Sequence, residues 1–250
     1  MGIRKRKIFY YAKPSDNHLA TRMSSINDMT QTDAIIFDLD EVLVDNVSCH
    51  TEATRLVLER YVSGPFLRDD ADPQYMGMRV SDMIKDLMTI HHIPQEFFGD
   101  MYRERQRLFV DLVKRHGKSM PGVREITELV LDLRLKKAVA SSGSFEYITL
   151  CLLQLGLESY FDVVVSGENL HRGKPDPETF LVTAQQLALP EEHCVVLEDA
   201  AKGVIAAKAA GMRCIGVHYS GSNAMAKQDL SKADIEVNSL FEITKEMLLG

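Results

Sequence analysis

The stretch DAIIFDLDEVLVDN, residues 33 to 46, decides the fold that the sequence predicts. Its apolar run from Ala34 to Phe37 is short and β-branched, which is typical of a buried parallel strand. The run ends on two carboxylates, Asp38 and Asp40, separated by one residue. Because ligands bind at the carboxyl ends of strands in open α/β sheets, we expect these carboxylates to line a crevice, one attacking and one handling a proton. A polar turn without chemistry is the alternative interpretation.

The composition is that of an ordinary globular protein. The chain has 250 residues, of which 45% are hydrophobic and 26% charged, with a formal net charge of −7. This charge argues against a nucleic-acid partner, although a local group of cations can still bind a small anion. No apolar run approaches the roughly 18 residues that a membrane span needs, so we expect no membrane partner. Four cysteines without CxxC spacing indicate buried thiols in a reducing, cytoplasmic compartment: Cys49, Cys151, Cys194 and Cys214.

The pattern of the chain predicts an extension and two domains. Residues 1 to 31 carry a basic cluster without a sustained period and are predicted to be a solvated N-terminal extension. Residues 47 to 118 show helical spacing and no convincing strand, which predicts a helical cap domain. Residues 32 to 46 and 119 to 250 alternate strands with helices and predict an α/β, Rossmann-like parallel sheet core. The cap is therefore predicted to be inserted after the first strand.

Four of the predicted strands end in groups suited to holding a phosphoryl group. In chain order these are Asp38 with Asp40, Ser141 with Ser142, Lys174 in a following loop, and Glu198 with Asp199. A parallel sheet brings such ends together. A carboxylate that attacks a phosphate meets repulsion, and a divalent cation with oxygen ligands, Mg²⁺ rather than zinc, would relieve it. A helix N-cap for Ser141 and a solvated loop lysine for Lys174 are the alternatives.

Four motifs together resemble the signature of the haloacid dehalogenase superfamily. They are FDLD, VASSGS, GKPDPETF and VVLEDAAKGVIAAKAAGM, and the resemblance covers about residues 33 to 220. It is to the branch with a helical cap, which includes beta-phosphoglucomutase and many sugar-phosphate phosphatases. The resemblance implies that Asp38 forms an aspartyl-phosphate, and that Asp40 protonates the leaving oxygen and then activates water or a second hydroxyl. Asp40 would then carry a proton near neutrality while Asp38 stays ionised.

The same resemblance implies where a metal ion and the phosphoryl group bind. Mg²⁺ would be held by Asp38, the main-chain carbonyl of Asp40 and Asp199, with Glu198 close by as a further candidate metal ligand. The phosphoryl group would be held by Ser141, Ser142 and Lys174. An aspartate at position 40 goes with phosphate-ester chemistry in this superfamily and argues against dehalogenation.

Position 41 departs from the family pattern. Glu41 stands where the family usually has glycine. Glycine takes backbone angles that glutamate resists, and Glu41 adds a negative charge near the phosphate. The geometry of this turn and the catalytic efficiency are therefore open, and a non-catalytic phosphate-binding or partner-binding scaffold stays an alternative.

Two residues of the predicted cap are candidates for substrate contact. His50 falls where beta-phosphoglucomutase and some sugar phosphatases have histidine, and it is expected either to orient Asp40, to contact a sugar hydroxyl, or to be an ordinary hinge residue. Arg79 lies where related phosphatases often carry an arginine for the distal part of the substrate, with a surface arginine as the alternative. The adjacent His91 and His92 point in different directions on a helix and are set aside as metal ligands.

The sequence thus predicts a Mg²⁺-dependent phosphatase that acts on a small phosphorylated metabolite, a sugar or polyol phosphate. A phosphoryl mutase of the beta-phosphoglucomutase type is the closest alternative, and it would need a second phosphate-binding group. A monomer or weak homodimer is expected.

Overall fold

The computed structural model describes residues 31–62, 73–219 and 228–250. Residues 1–30, which hold the basic cluster of the predicted extension, lie outside the described residues. The strands are β1 (Ala34–Phe37), β2 (Val44–Asp45), β3 (Lys118–Ser119), β4 (Lys136–Ser141), β5 (Val163–Ser166), β6 (Cys194–Glu198), β7 (Arg213–Val217) and β8 (Ile235–Val237). The helices are α1 (Val47–Leu58), α2 (Val80–Ile90), α3 (Phe98–His116), α4 (Val123–Asp132), α5 (Phe145–Gln154), α6 (Glu178–Leu187), α7 (Ala201–Ala209) and α8 (Lys245–Leu249).

Six strands form one sheet in the order β5-β4-β1-β6-β7-β8, and every neighbouring pair is parallel. The chain leaves β1 toward β4 on one side and later returns to β6 on the other. The order therefore reverses at β1, and the crevice at its carboxyl end is where such sheets bind ligands. The α/β prediction is confirmed.

The central strand is apolar because helices cover both faces of the sheet. Ile35 and Phe37 pack into one hydrophobic cluster, and Ala34 and Ile36 pack into the other. All of them are fully buried, and a buried side chain of the size of isoleucine or phenylalanine contributes about 1.5–3 kcal/mol. A strand that is buried on both faces has a continuous apolar run in its sequence, and this is why β1 could be predicted.

Helices α1, α2 and α3 lie between β1 and β4 in the chain, and we call them the helical insertion. They share a small core of their own, which includes Val57, Ile84, Met88 and Met101. The chain enters the insertion through β2 and leaves it through β3, and these two-residue strands pair antiparallel. This pair could not be predicted from the sequence, since two residues are too few to show a period.

The C-terminal segment FEITKEMLL, residues 241 to 249, is not one continuous helix. It begins as the end of a 3₁₀ turn, is extended at Ile243, and becomes helical only at α8. The side chain of Thr244 accepts a hydrogen bond from the main-chain N–H of Met247 and starts a new helix there, which explains the break. Among the described residues, no helix is both long and apolar enough to cross a membrane.

Candidate active site

The carboxylate of Asp38 lies directly beyond the central strand and is buried. Its main-chain N–H donates to the carbonyl of Leu197 in β6 at 2.9 Å, which extends the sheet by one residue. The ammonium of Lys174 donates to Asp38 Oδ1 at 2.5 Å and to Glu198 Oε1 at 2.6 Å. These three charged side chains are all buried, so each ion has to be paired where it is.

Glu198 is held from two sides. Its Oε1 accepts from Lys174, and its Oε2 accepts from the main-chain N–H of Ala200 at 2.7 Å. The carboxylate also lies against Gly203 in α7, where an added Cβ would come within 1.6 Å of Glu198 Oε1. Because both oxygens are engaged, these contacts disfavour the prediction that Glu198 is a metal ligand. They favour a part in positioning Lys174.

The carboxylate of Asp199 is less fully hydrogen-bonded than that of Glu198. Its Oδ2 is buried and has no hydrogen-bond partner among the described residues. Burial raises the pKa of Asp199 well above its ordinary value, and the nearby charges of Glu198, Glu41 and Asp38 raise it further. A buried carboxylate oxygen without a donor requires an explanation, and a bound cation such as Mg²⁺ is one that its chemistry fits.

The metal site expected from the motifs can be tested on these residues. In residues 31–62, 73–219 and 228–250, no three His, Cys, Asp or Glu side chains come together as a ready metal site. Mg²⁺ rarely needs one, because it is usually bound by one or two carboxylates and keeps several waters or phosphate oxygens. The pair Asp38 and Asp199, with the carbonyl of Asp40, therefore fits Mg²⁺. The residue roles stay predictions.

Ser141 and Ser142 are placed differently. Ser141 is fully buried at the end of β4, and its hydroxyl oxygen accepts from the N–H of Gly143 at 3.0 Å. Its own hydrogen can still be donated to a phosphoryl oxygen. The residue that caps α5 is Ser144, so the N-cap alternative for Ser141 is wrong. The hydroxyl of Ser142 donates to the carbonyl of Gly77 in the helical insertion at 2.9 Å, which leaves only its main chain for phosphate binding.

One oxygen of Asp40 collects the hydrogen bonds made to this side chain. Asn46 Nδ2 donates to Asp40 Oδ1 at 2.7 Å, the hydroxyl of Tyr147 donates to the same oxygen, and His50 Nε2 lies 3.7 Å from it. Burial raises the pKa of Tyr147 well above its usual value, so its hydroxyl keeps its proton and can donate. In the described part of the chain Oδ2 receives no such bond, and it is the oxygen that can exchange a proton with a substrate.

The pKa values of the two aspartates are ordered opposite to the prediction. Burial raises the pKa of Asp38 to about 8, against the lowering effect of Lys174. Burial also raises the pKa of Asp40, but the contacts of His50, Tyr147 and Asn46 outweigh it and the pKa is lowered. Donors that hold the ionised form explain the second shift, and a dry cluster of carboxylates explains the first. A cation bound at Asp38 would favour its ionised form.

The turn after Asp40 contains the unusual Glu41. Its φ of +56° lies in the left-handed region that favours glycine. The side chain is buried, and its Oε1 accepts from the N–H of Asn46 at 3.3 Å. Burial raises the pKa of Glu41 well above its ordinary value, and the charge of Asp40 adds to this. Glu41 therefore adopts the conformation that the family's glycine would have, at a cost in strain.

Arg79 joins the helical insertion to the loop before Lys174. Its Nε donates to Asp82 at 2.7 Å, and its Nη1 donates to the carbonyl of Leu170 at 2.7 Å. The side chain covers Gly173, where an added Cβ would lie 2.7 Å from Arg79 Nε. Arg79 thus contacts the loop that leads to Lys174 of the candidate site, but its guanidinium is already hydrogen-bonded to protein groups.

Three residues around Asp40 were not foreseen from the sequence: Asn46, Tyr147 and Arg105. Asn46 and Tyr147 gave no signal, because their importance depends on how α5 meets the turn after β1. Arg105 did give one. It is buried in α3 on a four-residue spacing with Met101 and Phe109, so a charge occupies the middle of an apolar stripe.

Comparison with known proteins agrees with this geometry. The family described as haloacid dehalogenase-like hydrolase matches residues 35–217. A phosphorylated carbohydrates phosphatase of Thermotoga maritima is 35% identical over 86% of this chain and 100% of that protein, and hexitol phosphatase B of Escherichia coli K12 is 32% identical over 87% and 96%. Beta-phosphoglucomutase from Clostridium difficile superposes with a TM-score of 0.74 at 25% identity, over 86% of this chain and 94% of that one. The chain therefore belongs to the haloacid dehalogenase-like hydrolase family, which its four motifs predicted.

Proposed function

We propose that this hydrolase is a Mg²⁺-dependent phosphatase that acts on a small phosphorylated carbohydrate through an aspartyl-phosphate at Asp38. One arrangement carries the proposal, namely the buried ammonium of Lys174 between Asp38 and Glu198. It places positive charge beside a carboxylate at the end of the central strand, which is what attack on a phosphate by an anion requires.

In the first half of the proposed reaction, a carboxylate oxygen of Asp38 bonds to phosphorus while the bond from phosphorus to the ester oxygen breaks. The hydroxyl of Ser141 and the ammonium of Lys174 stabilise the transferring phosphoryl oxygens. The leaving oxygen takes a proton from Asp40 Oδ2. Asp40 must be protonated for this step, and the negative charge of a bound phosphate raises its pKa in that direction. When bound, Mg²⁺ at Asp38 and Asp199 would supply further positive charge.

In the second half, water gives a proton to Asp40 Oδ2 and attacks phosphorus, which releases inorganic phosphate and restores the carboxylate of Asp38. The hydrogen bonds of Asn46 and Tyr147 to Oδ1 hold the carboxylate of Asp40 in one orientation through both steps. Oδ2 of Asp40 therefore gives up a proton as the acid in the first step and takes one as the base in the second.

We propose a sugar or polyol phosphate as the substrate. The relatives named as phosphatases of phosphorylated carbohydrates and of hexitols support this class. Arg79 is the proposed contact for the distal part of the substrate, and binding there would exchange its present bonds to Asp82 and Leu170.

The proposed test measures phosphate release from a panel of hexose, pentose and polyol phosphates, with MgCl₂ and with EDTA. We expect release that needs Mg²⁺ and that Asp38→Asn reduces by more than about a thousandfold. Asp132→Asn, a change at an exposed carboxylate at the end of α4, is the matched control. Retained activity in Asp38→Asn would overturn the assignment of the nucleophile.

A phosphoryl mutase is the second candidate, and the likeness to beta-phosphoglucomutase favours it. Interconversion of glucose 1-phosphate and glucose 6-phosphate, measured beside phosphate release, distinguishes the two. Absence of both reactions across the panel would leave the non-catalytic scaffold, for which the unusual Glu41 is the motivation.

We also propose that the helical insertion is a cap domain, and that the protein is a cytoplasmic monomer or weak homodimer without nucleic-acid or membrane partners. Two hydrogen bonds between the insertion and the loops at the strand ends support the cap, one donated by the hydroxyl of Ser142 to the carbonyl of Gly77 and one donated by Arg79 to the carbonyl of Leu170. The four free, buried cysteines support a reducing compartment.

A further inference from the structure

The guanidinium of Arg105 is buried in the helical insertion without a paired carboxylate. The residue is only 1% exposed, and within the described parts of the chain no carboxylate oxygen lies within 4.0 Å of it. A buried charge without a direct ion pair is costly, and an apolar side chain of similar volume would normally be more stable there. The cost of this buried charge indicates that it has a function, and the groups that it contacts indicate which one.

Its closest polar contact is the ring of His50. Arg105 Nη2 lies 2.6 Å from His50 Nδ1. Weaker bonds run from Nε to the hydroxyl of Thr54 at 3.4 Å and from Nη1 to the side chain of Gln106 at 3.1 Å. Phe109 packs under both groups, with its ring 4.0 Å from the ring of His50 and 4.6 Å from the guanidinium carbon. The geometry of the imidazole is therefore fixed on two sides.

The chemistry of arginine decides the tautomer of His50. A guanidinium has five N–H donors and no acceptor, so a bond of 2.6 Å requires a lone pair on His50 Nδ1. The proton of the neutral imidazole is then on Nε2. Burial lowers the pKa of Arg105 to about 10, which leaves it charged and donating at neutral pH.

His50 Nε2 faces the carboxylate of Asp40. The distance to Oδ1 is 3.7 Å, which is a polar contact and not yet a hydrogen bond. It is the same oxygen that Asn46 and Tyr147 hold. A donor on Nε2 attracts Oδ1, whereas a lone pair there would repel it.

We propose that Arg105 is a positioning residue that fixes His50 as the neutral Nε2–H tautomer, so that Asp40 Oδ1 faces three donors and Oδ2 stays toward the substrate. The catalytic part of this inference rests on the proposed function. Arg105 contacts neither substrate nor the reacting atoms, and it acts only through His50.

The tautomer can be measured without any reaction. Nitrogen-15 NMR of the imidazoles of the full chain, near neutral pH, distinguishes protonated from unprotonated ring nitrogens, and His50→Gln identifies the signal of His50 among the eight histidines. We expect a proton on Nε2 and none on Nδ1. We also expect that Arg105→Met releases this preference. A proton on Nδ1 in the unaltered protein, whether alone or as an imidazolium, would overturn the proposal.

Kinetics test the consequence for Asp40. We expect Arg105→Met to lower kcat by about tenfold or more with KM changed less than about threefold, because orientation at the reacting centre is lost and binding is not. Arg107→Met is the matched control on α3, since Arg107 is 64% exposed and pairs with Glu104 and Asp111 at the surface. It should leave both constants unchanged.

Variants of His50 distinguish the positioning role of Arg105 from a purely structural role. In His50→Gln the amide oxygen can accept from Arg105 and the amide nitrogen can donate to Asp40, so kcat should stay at least about tenfold above that of His50→Leu. Losses from His50→Leu and Arg105→Met should not add in the double variant, because the two residues act as one unit. Additive losses, or equal loss in both His50 variants, would refute the positioning. If the unaltered protein released no phosphate, the proposed function would fail, and the NMR result alone would decide the tautomer.

Discussion

Glu41 shows how a single residue can keep the shape of a turn while straining it. Its backbone has a φ of +56°, a conformation that costs a residue with a Cβ about 1–2 kcal/mol. Its side chain is buried beside Asp40 and accepts only a long bond from Asn46 at 3.3 Å. The family's usual glycine would remove both the strain and the buried carboxyl, although glycine loses more freedom on folding.

We expect Glu41→Gly to stabilise the protein by about 1 kcal/mol, a rise in Tm of about 2–4 °C for a chain of this size, and not to lower phosphatase activity. Glu41→Gln keeps the Cβ and removes only the charge, so it separates the backbone effect from the electrostatic one. Thermal unfolding of the three proteins measures the difference. A lower Tm in Glu41→Gly than in Glu41→Gln would show that the lost side-chain contacts and the greater freedom of glycine in the unfolded chain outweigh the relief of strain.

Helix α7 is positioned by the carboxylate beneath it. Gly203 faces Glu198, and the missing side chain is what lets the helix approach the ammonium-binding carboxylate so closely. Helix propensity alone favours alanine over glycine by about 1 kcal/mol, so packing and propensity predict opposite signs here. Packing should decide, since a Cβ 1.6 Å from an oxygen cannot be accommodated without moving the helix or Glu198.

Gly203→Ala should therefore destabilise the protein by more than about 2 kcal/mol and lower phosphatase activity, because Glu198 no longer holds Lys174 in place. Gly99→Ala in α3 is the control, since its Cβ would meet only the flexible end of Arg103 at 3.2 Å. That change should not destabilise the protein, and helix propensity should stabilise it by up to about 1 kcal/mol. Urea unfolding of both variants checks the prediction. Equal midpoints for the two would mean that α7 shifts at little cost.

The helices and strands could be predicted from the sequence, but the side-chain contacts between them could not. Helix α2 lies within the stretch predicted to be helical, because its apolar residues recur at helical intervals, and β1 coincides with its predicted strand, because it is a continuous apolar run. The strand-end residues Asp38, Lys174 and Glu198 were also brought together as predicted, since parallel strands end at one edge. The partners of Asp40 come from helices whose approach depends on side-chain packing, and no local pattern records that.

Across the whole molecule, the insertion contacts the core at the loops that carry the candidate site. The contacts are Ser142 with Gly77, Arg79 with Leu170, Tyr102 with Glu168, and Lys202 with Gln74. Beneath them lie carboxylates whose charges repel one another, and the stability of the protein should therefore depend on pH and on cations.

The sign follows from Asp38, whose pKa of about 8 in the folded protein exceeds its ordinary value of 3.8. Between these values the folded state binds a proton that the unfolded state lacks, so the free energy of unfolding falls as pH rises from about 4 to 8. The raised pKa values of Asp199 and Glu41 act in the same direction. Mg²⁺ competes with these protons and should bind more tightly at the higher pH.

We expect MgCl₂ to raise Tm more at about pH 8 than at about pH 5. At the higher pH, the stabilisation should be about 2.7 kcal/mol when the cation is a hundredfold above its Kd. Thermal unfolding with MgCl₂ against NaCl of equal ionic strength measures this. Asp38→Asn with Asp199→Asn should abolish the difference, and Asp132→Asn should preserve it. An equal effect of MgCl₂ at both pH values would show that these carboxylates do not bind the ion.

The short ladder of β2 and β3 has a consequence for how such proteins diversify. Val44 pairs with Ser119 and Asp45 with Lys118, so the two points where the chain departs from the sheet domain and returns to it are hydrogen-bonded neighbours. A segment whose ends already meet can be exchanged for another of any length without disturbing the strands below. Selection can therefore replace the insertion while the sheet domain is inherited intact. Because we propose that the insertion is a cap, we expect a transplant made at these two dipeptides to carry substrate preference with it.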